Sequence, residues 1–419
     1  MPHPLNGTNT AFRRDNLLAL VRQHGSPVWA YDADIIRQRI ALLSQFDVIR
    51  YAQKACSNVH ILRLMHEAGV LVDAVSLGEI ERALVAGFDL NDADDAIVFT
   101  ADVFDDATLA RVTERMIPVN AGSTDMLHQL GRLSPGHPVW LRINPGFGHG
   151  HSHKTNTGGE NSKHGIWFEQ LPEALKIINH YNLDLTGLHM HIGSGVDYVH
   201  LQKVCDAMVT EATKLGCDLK AISAGGGLSV PYYLDGEAPD TAHYFQLWDD
   251  ARKQLAEHFG HPIRLEIEPG RFLVAEAGVL ISQVRAVKKM GQRHFVLVDA
   301  GFNDLMRPAM YGSYHHISVI AGDDRTLDEN QLTESVVAGP LCESGDVFTQ
   351  REGGEVQTRL LPAVLPGDYL VFHDTGAYGA SMSSNYNSRP LLPEVLFDGQ
   401  EVKVIRRRQT IAELLALEL

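Results

Sequence analysis

Between residues 46 and 275, short runs of β-branched or apolar residues alternate with longer stretches of helical period, and this alternation constrains the fold more than any other feature. Runs beginning at Val48, Val70, Ile97, Ile117, Val139, Leu185, Leu219 and Ile263 read as strands. Stretches such as Asn58 to Ala68, Ile80 to Ala86 and Tyr244 to Phe259 carry the helical period between them. Apolar strands separated by helices belong to parallel βα units, because a parallel pair needs a crossover and the crossover helix covers the sheet. Eight such units in about 230 residues match the size of a closed (β/α)8 barrel, which places its active site at the carboxyl ends of the strands. An open doubly wound sheet is the alternative.

Past Leu280 the intervening helices vanish. Phe295 to Val298, Ser335 to Val337, Tyr369 to Phe372 and Val402 to Ile405 read as strands, Pro366-Gly367-Asp368 as a turn, and Thr410 to Leu417 as a closing helix. The predicted class is α/β plus β. A TIM-type barrel covers 36–279, a β-rich domain covers 280–419, and an N-terminal segment, 1–35, packs with the β domain. No low-complexity linker marks either boundary, so the parts are expected to pack rather than swing freely.

Composition narrows the function. The 419 residues are 44% hydrophobic, enough to bury two cores. The net charge of -16 withholds the attraction on which nucleic-acid binding rests, so a small-molecule substrate is expected instead. Met1-Pro2-His3-Pro4-Leu5-Asn6 shows no basic region leading into an apolar run, and nowhere do about eighteen apolar residues follow one another. A cytoplasmic protein with no membrane partner is the expectation. Cys56, Cys205, Cys217 and Cys342 lack metal-ligand spacing and fit a reducing compartment, so no metal site is assigned.

In a barrel, polar residues at strand ends line the mouth. Lys54 ends the first strand, where desolvation would make its amine a nucleophile; taken alone it reads as a solvated strand-end lysine, and only its context lifts it. The sixth strand ends Leu188-His189-Met190-His191-Ile192-Gly193-Ser194-Gly195, with two histidines on one face and His191 nearer the mouth. Its flat ring could stack on a planar cofactor, or both histidines could be satisfied core residues. The seventh ends at Gly225, Gly226 and Gly227, whose bare backbone could wrap a phosphate or merely turn. The eighth ends Leu265-Glu266-Ile267-Glu268-Pro269-Gly270-Arg271, with two carboxylates facing inward and a cation beyond. A buried carboxylate there could hold a pyridinium proton, or it could form a structural ion pair. An aldehyde for Lys54, a ring for His191, a phosphate for the glycines and a ring nitrogen for Glu268 converge on one ligand, pyridoxal phosphate. Ser76-Leu77-Gly78-Glu79 reads as a capping box rather than a nucleophile. His149 to His153 reads as a histidine-rich loop rather than a metal site, in a stretch from Asn144 to about Gly165 long enough to cover the mouth.

These residues resemble, from end to end, the fold-type III pyridoxal-phosphate decarboxylases. The motifs are Tyr-Ala-Gln-Lys at 51–54, His-Ile-Gly-Ser-Gly at 191–195, Gly-Gly-Gly at 225–227, Glu-Pro-Gly-Arg at 268–271, Cys-Glu-Ser-Gly-Asp at 342–346 and Gly-Ala-Tyr at 376–378. The resemblance implies that Lys54 carries the cofactor as a Schiff base, that His191 stacks on its ring and that Glu268 faces its nitrogen. Ser194, Gly225 to Gly227, Gly270 and Arg271 would hold the phosphate region, and Tyr378 would approach cofactor and substrate. Cys342 would be the acid that returns a proton after carbon dioxide leaves. Family members are dimers with shared sites, so a homodimer is expected, with the β-rich domain contributing the Cys342-Glu343 segment across the interface.

Within the family, Arg307 and Tyr311 in the stretch 301–311 resemble the branch acting on diaminopimelate, as do 154–165 and 383–387. By that analogy Arg307, Tyr311, Arg271 and Tyr378 bind meso-2,6-diaminopimelate and Glu343 takes its distal ammonium. The implied reaction gives L-lysine and carbon dioxide, the last step of lysine biosynthesis. A racemase of similar architecture would need a second base, and none announces itself. A non-catalytic cofactor carrier would not need a second domain of roughly 140 residues.

Overall fold

The computed structural model describes residues 11–88, 95–148, 158–191, 193, 197–328 and 330–419. They form two compact units. One comprises 38–229 and 238–273; the other comprises residues up to 37, the excursion 230–237, and 274–419. The barrel boundaries expected at 36 and 279 therefore move to 38 and 273, and the barrel gives up 230–237. Nothing local in Val230-Pro231-Tyr232-Tyr233 marked that exchange.

In the first unit eight strands form a parallel ring: β1 (Val48–Ala52), β2 (Leu71–Ala74), β3 (Ile97–Ala101), β4 (Val119–Ala121), β5 (Pro138–Asn144), β6 (Asp184–His189), β7 (Ala221–Ser223) and β8 (Arg264–Ile267), with the short strand Ile166–Trp167 paired to β5 outside it. Each pairs with the next, and β8 pairs with β1, so the ring closes and the open doubly wound alternative falls away. Closure removes both sheet edges. Helix signals stand where the sequence put them. Asn58 caps Val59–Glu67 by accepting from the His60 N–H at 3.0 Å, and Asp240 caps Thr241–Phe259 through the His243 N–H. The two longest helices end at Gly216 and Gly260, both with positive φ, the left-handed conformation that glycine enters without strain. Among the described residues, no helix is long and apolar enough to cross a membrane.

The second unit is a nine-stranded mixed sheet. Its centre is Val28–Asp32, buried throughout, antiparallel to Gly278–Met290 and parallel to Glu394–Asp398. Leu17, Leu18, Leu20 and Val21 of the helix Arg14–His24 join Val28, Ala30, Val279, Ile281, Val371, Val395 and Phe397 in its core. Each such side chain removed from water contributes up to roughly 1.5–3 kcal/mol, so the N-terminal helix is a structural member of this unit.

Candidate active site

The mouth of the barrel is built at strand ends. Immediately after β1 the chain turns through a 3-10 segment, Gln53–Ala55, whose first and last residues are buried. Lys54 alone in that turn is exposed, so the enclosure expected of it is not supplied by the surrounding strands. The turn packs closely against the residues after β8: a Cβ on Gly270 would lie 3.0 Å from the Ala52 carbonyl oxygen and 3.3 Å from the Ala55 Cβ. The positive charge of Lys54 reaches Asp73, Glu79 and His191, favouring the ionised carboxylates and the neutral imidazole.

Glu268 follows β8 and is buried. It accepts from Ser223 Oγ at 3.0 Å through Oε1 and from His189 Nε2 at 2.8 Å through Oε2. Burial opposes its ionisation, but His189, Arg50 and these hydrogen bonds outweigh burial and hold it below the ordinary carboxylate range. Glu266, the other inward carboxylate of this strand, is clamped by Arg50 at 2.9 Å, both residues 1% exposed. The ion-pair reading therefore belongs to Glu266, and Glu268 is left as the candidate for a ring nitrogen. His189 is the buried support of that carboxylate; His191, two residues on, is partly buried, and burial first, then the charges of Arg142 and Lys54, push its pKa well down. A neutral, flat imidazole is what stacking on an aromatic cofactor needs.

The glycine run is a cradle rather than a loose turn. Gly225 has φ +60, and a Cβ there would strike the Met190 carbonyl oxygen at 2.6 Å. Gly226 would meet the Glu268 carbonyl oxygen at 2.7 Å and Gly227 that of Gly193 at 2.8 Å. Backbone replaces side chain at three successive positions beside the His191 ring; the Gly225 N–H donates to Ser223 Oγ at 3.1 Å, and the bare backbone that follows lets an anion approach. Arg271 opens the short helix Arg271–Val274 after β8 and is partly buried. Ser194 lies outside the described residues, as do Ile192, Gly195, His149 to His153 and Lys154. A cradle of bare backbone, a flat neutral ring, an ionised carboxylate and an amine at one mouth fit pyridoxal phosphate.

The remaining candidates belong to the other unit. Arg307 and Tyr311 bound the helix Arg307–Tyr311, Arg307 buried and Tyr311 partly so. Cys342 and Glu343 are exposed on a loop that Asp346 organises by accepting from the Leu341 and Phe302 N–H groups, both at 2.8 Å. Cys342 N–H donates to Asn387 Oδ1 at 2.9 Å. Tyr378 has φ +57, a left-handed conformation that costs a bulky residue of order 1 kcal/mol or more.

Three residues escaped the sequence reading. Asp73 sits in β2, 2% exposed; Arg142 lies buried in β5; and Glu79, read only as part of a cap, lies partly buried within reach of the Lys54 charge. Ser76 does cap Leu77–Ala86, but Glu79 Oε2 accepts from the Val75 N–H rather than closing the box on Ser76. The available signal was a charge in the middle of an apolar strand, Leu71-Val72-Asp73-Ala74. Burial, then the charge of Glu268, raises the pKa of Asp73 far above the carboxylate range. A raised folded-state pKa stabilises the fold fully below the unfolded value, and that stability is lost as pH rises through the folded one. Asp73→Asn in cofactor-stripped protein should therefore gain in Tm over wild type at about pH 9 and gain little at about pH 5. Equal differences in Tm at both pH values would show that Asp73 ionises normally.

Comparison with known proteins gives the family. The pyridoxal-dependent decarboxylase, pyridoxal binding domain, matches residues 32–275. A diaminopimelate decarboxylase of Escherichia coli (strain K12) is 70% identical over 419 residues, all of both chains. A crystal structure of a diaminopimelate decarboxylase, 70% identical, superposes with TM-score 0.97 over 100% of this chain and 99% of that one. The Helicobacter pylori diaminopimelate decarboxylase complexed with L-lysine, 32% identical, gives 0.86 over 96% of this chain and 99% of its own. The chain belongs to the pyridoxal-dependent decarboxylase family, with pyridoxal phosphate as its cofactor.

Proposed function

We propose that this enzyme removes carbon dioxide from meso-2,6-diaminopimelate and releases L-lysine, the last step of lysine biosynthesis. One observation carries the choice of substrate: Arg307, 5% exposed, is a guanidinium held in a dry position. There it binds a carboxylate far better than a solvated cation would, and it disfavours substrates that end in a bare ammonium. The full-length 70% identity to the Escherichia coli diaminopimelate decarboxylase supports the same reading.

When bound, pyridoxal phosphate supplies the electron sink for the pair left by departing carbon dioxide. Lys54 provides the amine that anchors it. Gly225, Gly226, Gly227, Gly270 and Arg271, with Ser194, hold its phosphate region, and His191 covers its ring. Glu268, kept ionised by His189 and Ser223, holds a proton on the ring nitrogen. Arg307 and Tyr311 take the distal carboxylate, Glu343 the distal ammonium, and Tyr378 lies against substrate. Cys342 delivers the proton to the carbon that loses its carboxylate. Exposure of Cys342 and Glu343 in the single chain supports a homodimer in which each subunit lends these residues to its partner. Four free cysteines support a cytoplasmic setting.

Purified protein incubated with meso-diaminopimelate should yield L-lysine and carbon dioxide in equal amounts. Arg307→Ala should lower kcat/KM by about 2 to 4 kcal/mol, roughly 30- to 1,000-fold, while cofactor binding persists. An unchanged kcat/KM would remove Arg307 from the pocket and reopen ornithine or arginine as substrates.

A further inference from the structure

Arginine is a long, rotamer-rich side chain, and one that must be fixed only when substrate arrives wastes binding energy on its own ordering. Arg307 is fixed beforehand. Its Nη1 lies 3.0 Å from His315 Nε2, and its guanidinium carbon lies 4.7 Å from the centroid of the Tyr232 ring. Tyr232 comes from the excursion 230–237, which belongs to the same unit. Its ring also meets that of His315 edge-on, at 5.5 Å and 81°.

The protons follow from the partners. Arginine only donates, so His315 Nε2 must be the acceptor and carry no hydrogen. His315 Nδ1 lies 2.9 Å from the His373 carbonyl oxygen, which only accepts, so the ring hydrogen sits on Nδ1. Two contacts thus select one neutral tautomer. A carboxylate in this place would orient Arg307 and oppose its charge; a neutral imidazole orients it and adds no opposing charge. The chain of support continues into the sheet. His373 follows the strand Tyr369–Phe372, its N–H donates to the His316 carbonyl at 2.9 Å, and its Nε2 lies 2.7 Å from Ser318 Oγ on the neighbouring strand Ile317–Ile320. His315 is 4% exposed, so its own contacts are made away from bulk water.

We infer that His315 is the positioning residue that holds Arg307 for the substrate's distal carboxylate and so separates substrates that carry one from those that do not. The inference rests on the proposed pairing of Arg307 with that carboxylate. The reaction removes the carboxylate at the reacting end, so L-lysine keeps the distal one, whereas cadaverine has neither. The two ligands therefore isolate the contact without turnover.

The test uses holoenzyme and titration calorimetry. His315→Phe keeps the ring against Tyr232 and deletes both nitrogens. It should weaken L-lysine, and raise KM for diaminopimelate, about ten- to a hundredfold, with kcat within about threefold and cadaverine binding unchanged. His315→Gln restores an acceptor and should return L-lysine to within about threefold of wild type. In an Arg307→Ala background, His315→Phe should have no further effect on L-lysine. Equal weakening of L-lysine and cadaverine, or full additivity with Arg307→Ala, would overturn the inference. If Arg307→Ala weakens L-lysine and His315→Phe does not, the positioning role alone fails. If Arg307→Ala leaves L-lysine unchanged, the carboxylate assignment fails with it.

Discussion

Lys54→Ala is expected to erase the visible absorbance of the bound cofactor and to lower turnover by roughly three orders of magnitude or more, because no imine can form at that position. The effect should be chemical rather than structural. Lys54 is the exposed member of a turn whose buried members, Gln53 and Ala55, are unchanged in the variant. Removing its side chain uncovers no core, so the melting temperature of the cofactor-stripped protein should stay within a few degrees of wild type. The variant also withdraws a positive charge from Asp73 and Glu79. Their protonation should be favoured further, which a pH series of melts would register. Borohydride reduction followed by peptide mapping gives the decisive reading. Wild type should carry the reduced cofactor on the peptide containing Lys54, and Lys54→Ala should carry none. A labelled lysine elsewhere in the variant would mean that the anchoring amine had been misassigned.

The legible parts of the fold were those that repeat. Eight βα units leave a periodic trace, and the strand starts read at Val48, Ile97 and Val139 lie within a residue of those observed. What stayed hidden depends on pairing over long separations. Val28–Asp32 looks like any apolar run, yet it joins Gly278–Met290 and Glu394–Asp398, partners some hundreds of residues away that no local pattern announces. The same holds for 230–237, whose tyrosines carry no mark of the unit they join.

In the site, strand-end residues could be found because a lysine, a glycine run or a Glu-Pro-Gly-Arg segment interrupts an apolar run. Alternation could not distinguish Glu266 from Glu268, since both face inward. Arg50 decides between them, and its own partner is set by ring closure of β8 against β1. Likewise His189 and His191 share a face, but only the position of Glu268 makes one a support and leaves the other beside the glycine cradle. His315 and His373 were invisible for the opposite reason. They lie in Tyr314-His315-His316 and Phe372-His373-Asp374, where nothing indicates that two distant histidines act in series on one arginine.

The shared site is the proposal with the sharpest numerical consequence. Cys342 and Glu343 are exposed on a loop braced from within its own unit by Asp346 and Asn387, an arrangement suited to presenting side chains outward. In an isologous dimer each site would take Lys54 from one subunit and Cys342 from the other. Lys54→Ala dimers lack the amine at both sites, and Cys342→Ala dimers lack the acid at both, although water can replace a lost acid slowly. After random subunit exchange about half the dimers are mixed, and each mixed dimer has one site with both groups intact. Activity should therefore rise to about a quarter of wild type if the sites are independent. If both residues instead came from the same chain, no mixed dimer would contain an intact site, and activity would remain at the average of the two parents. Native mass spectrometry on the same samples establishes that exchange has occurred. With mixed dimers demonstrated, activity at the parental average would withdraw Cys342 as a residue supplied by the partner subunit, leaving the assignment of Lys54 untouched.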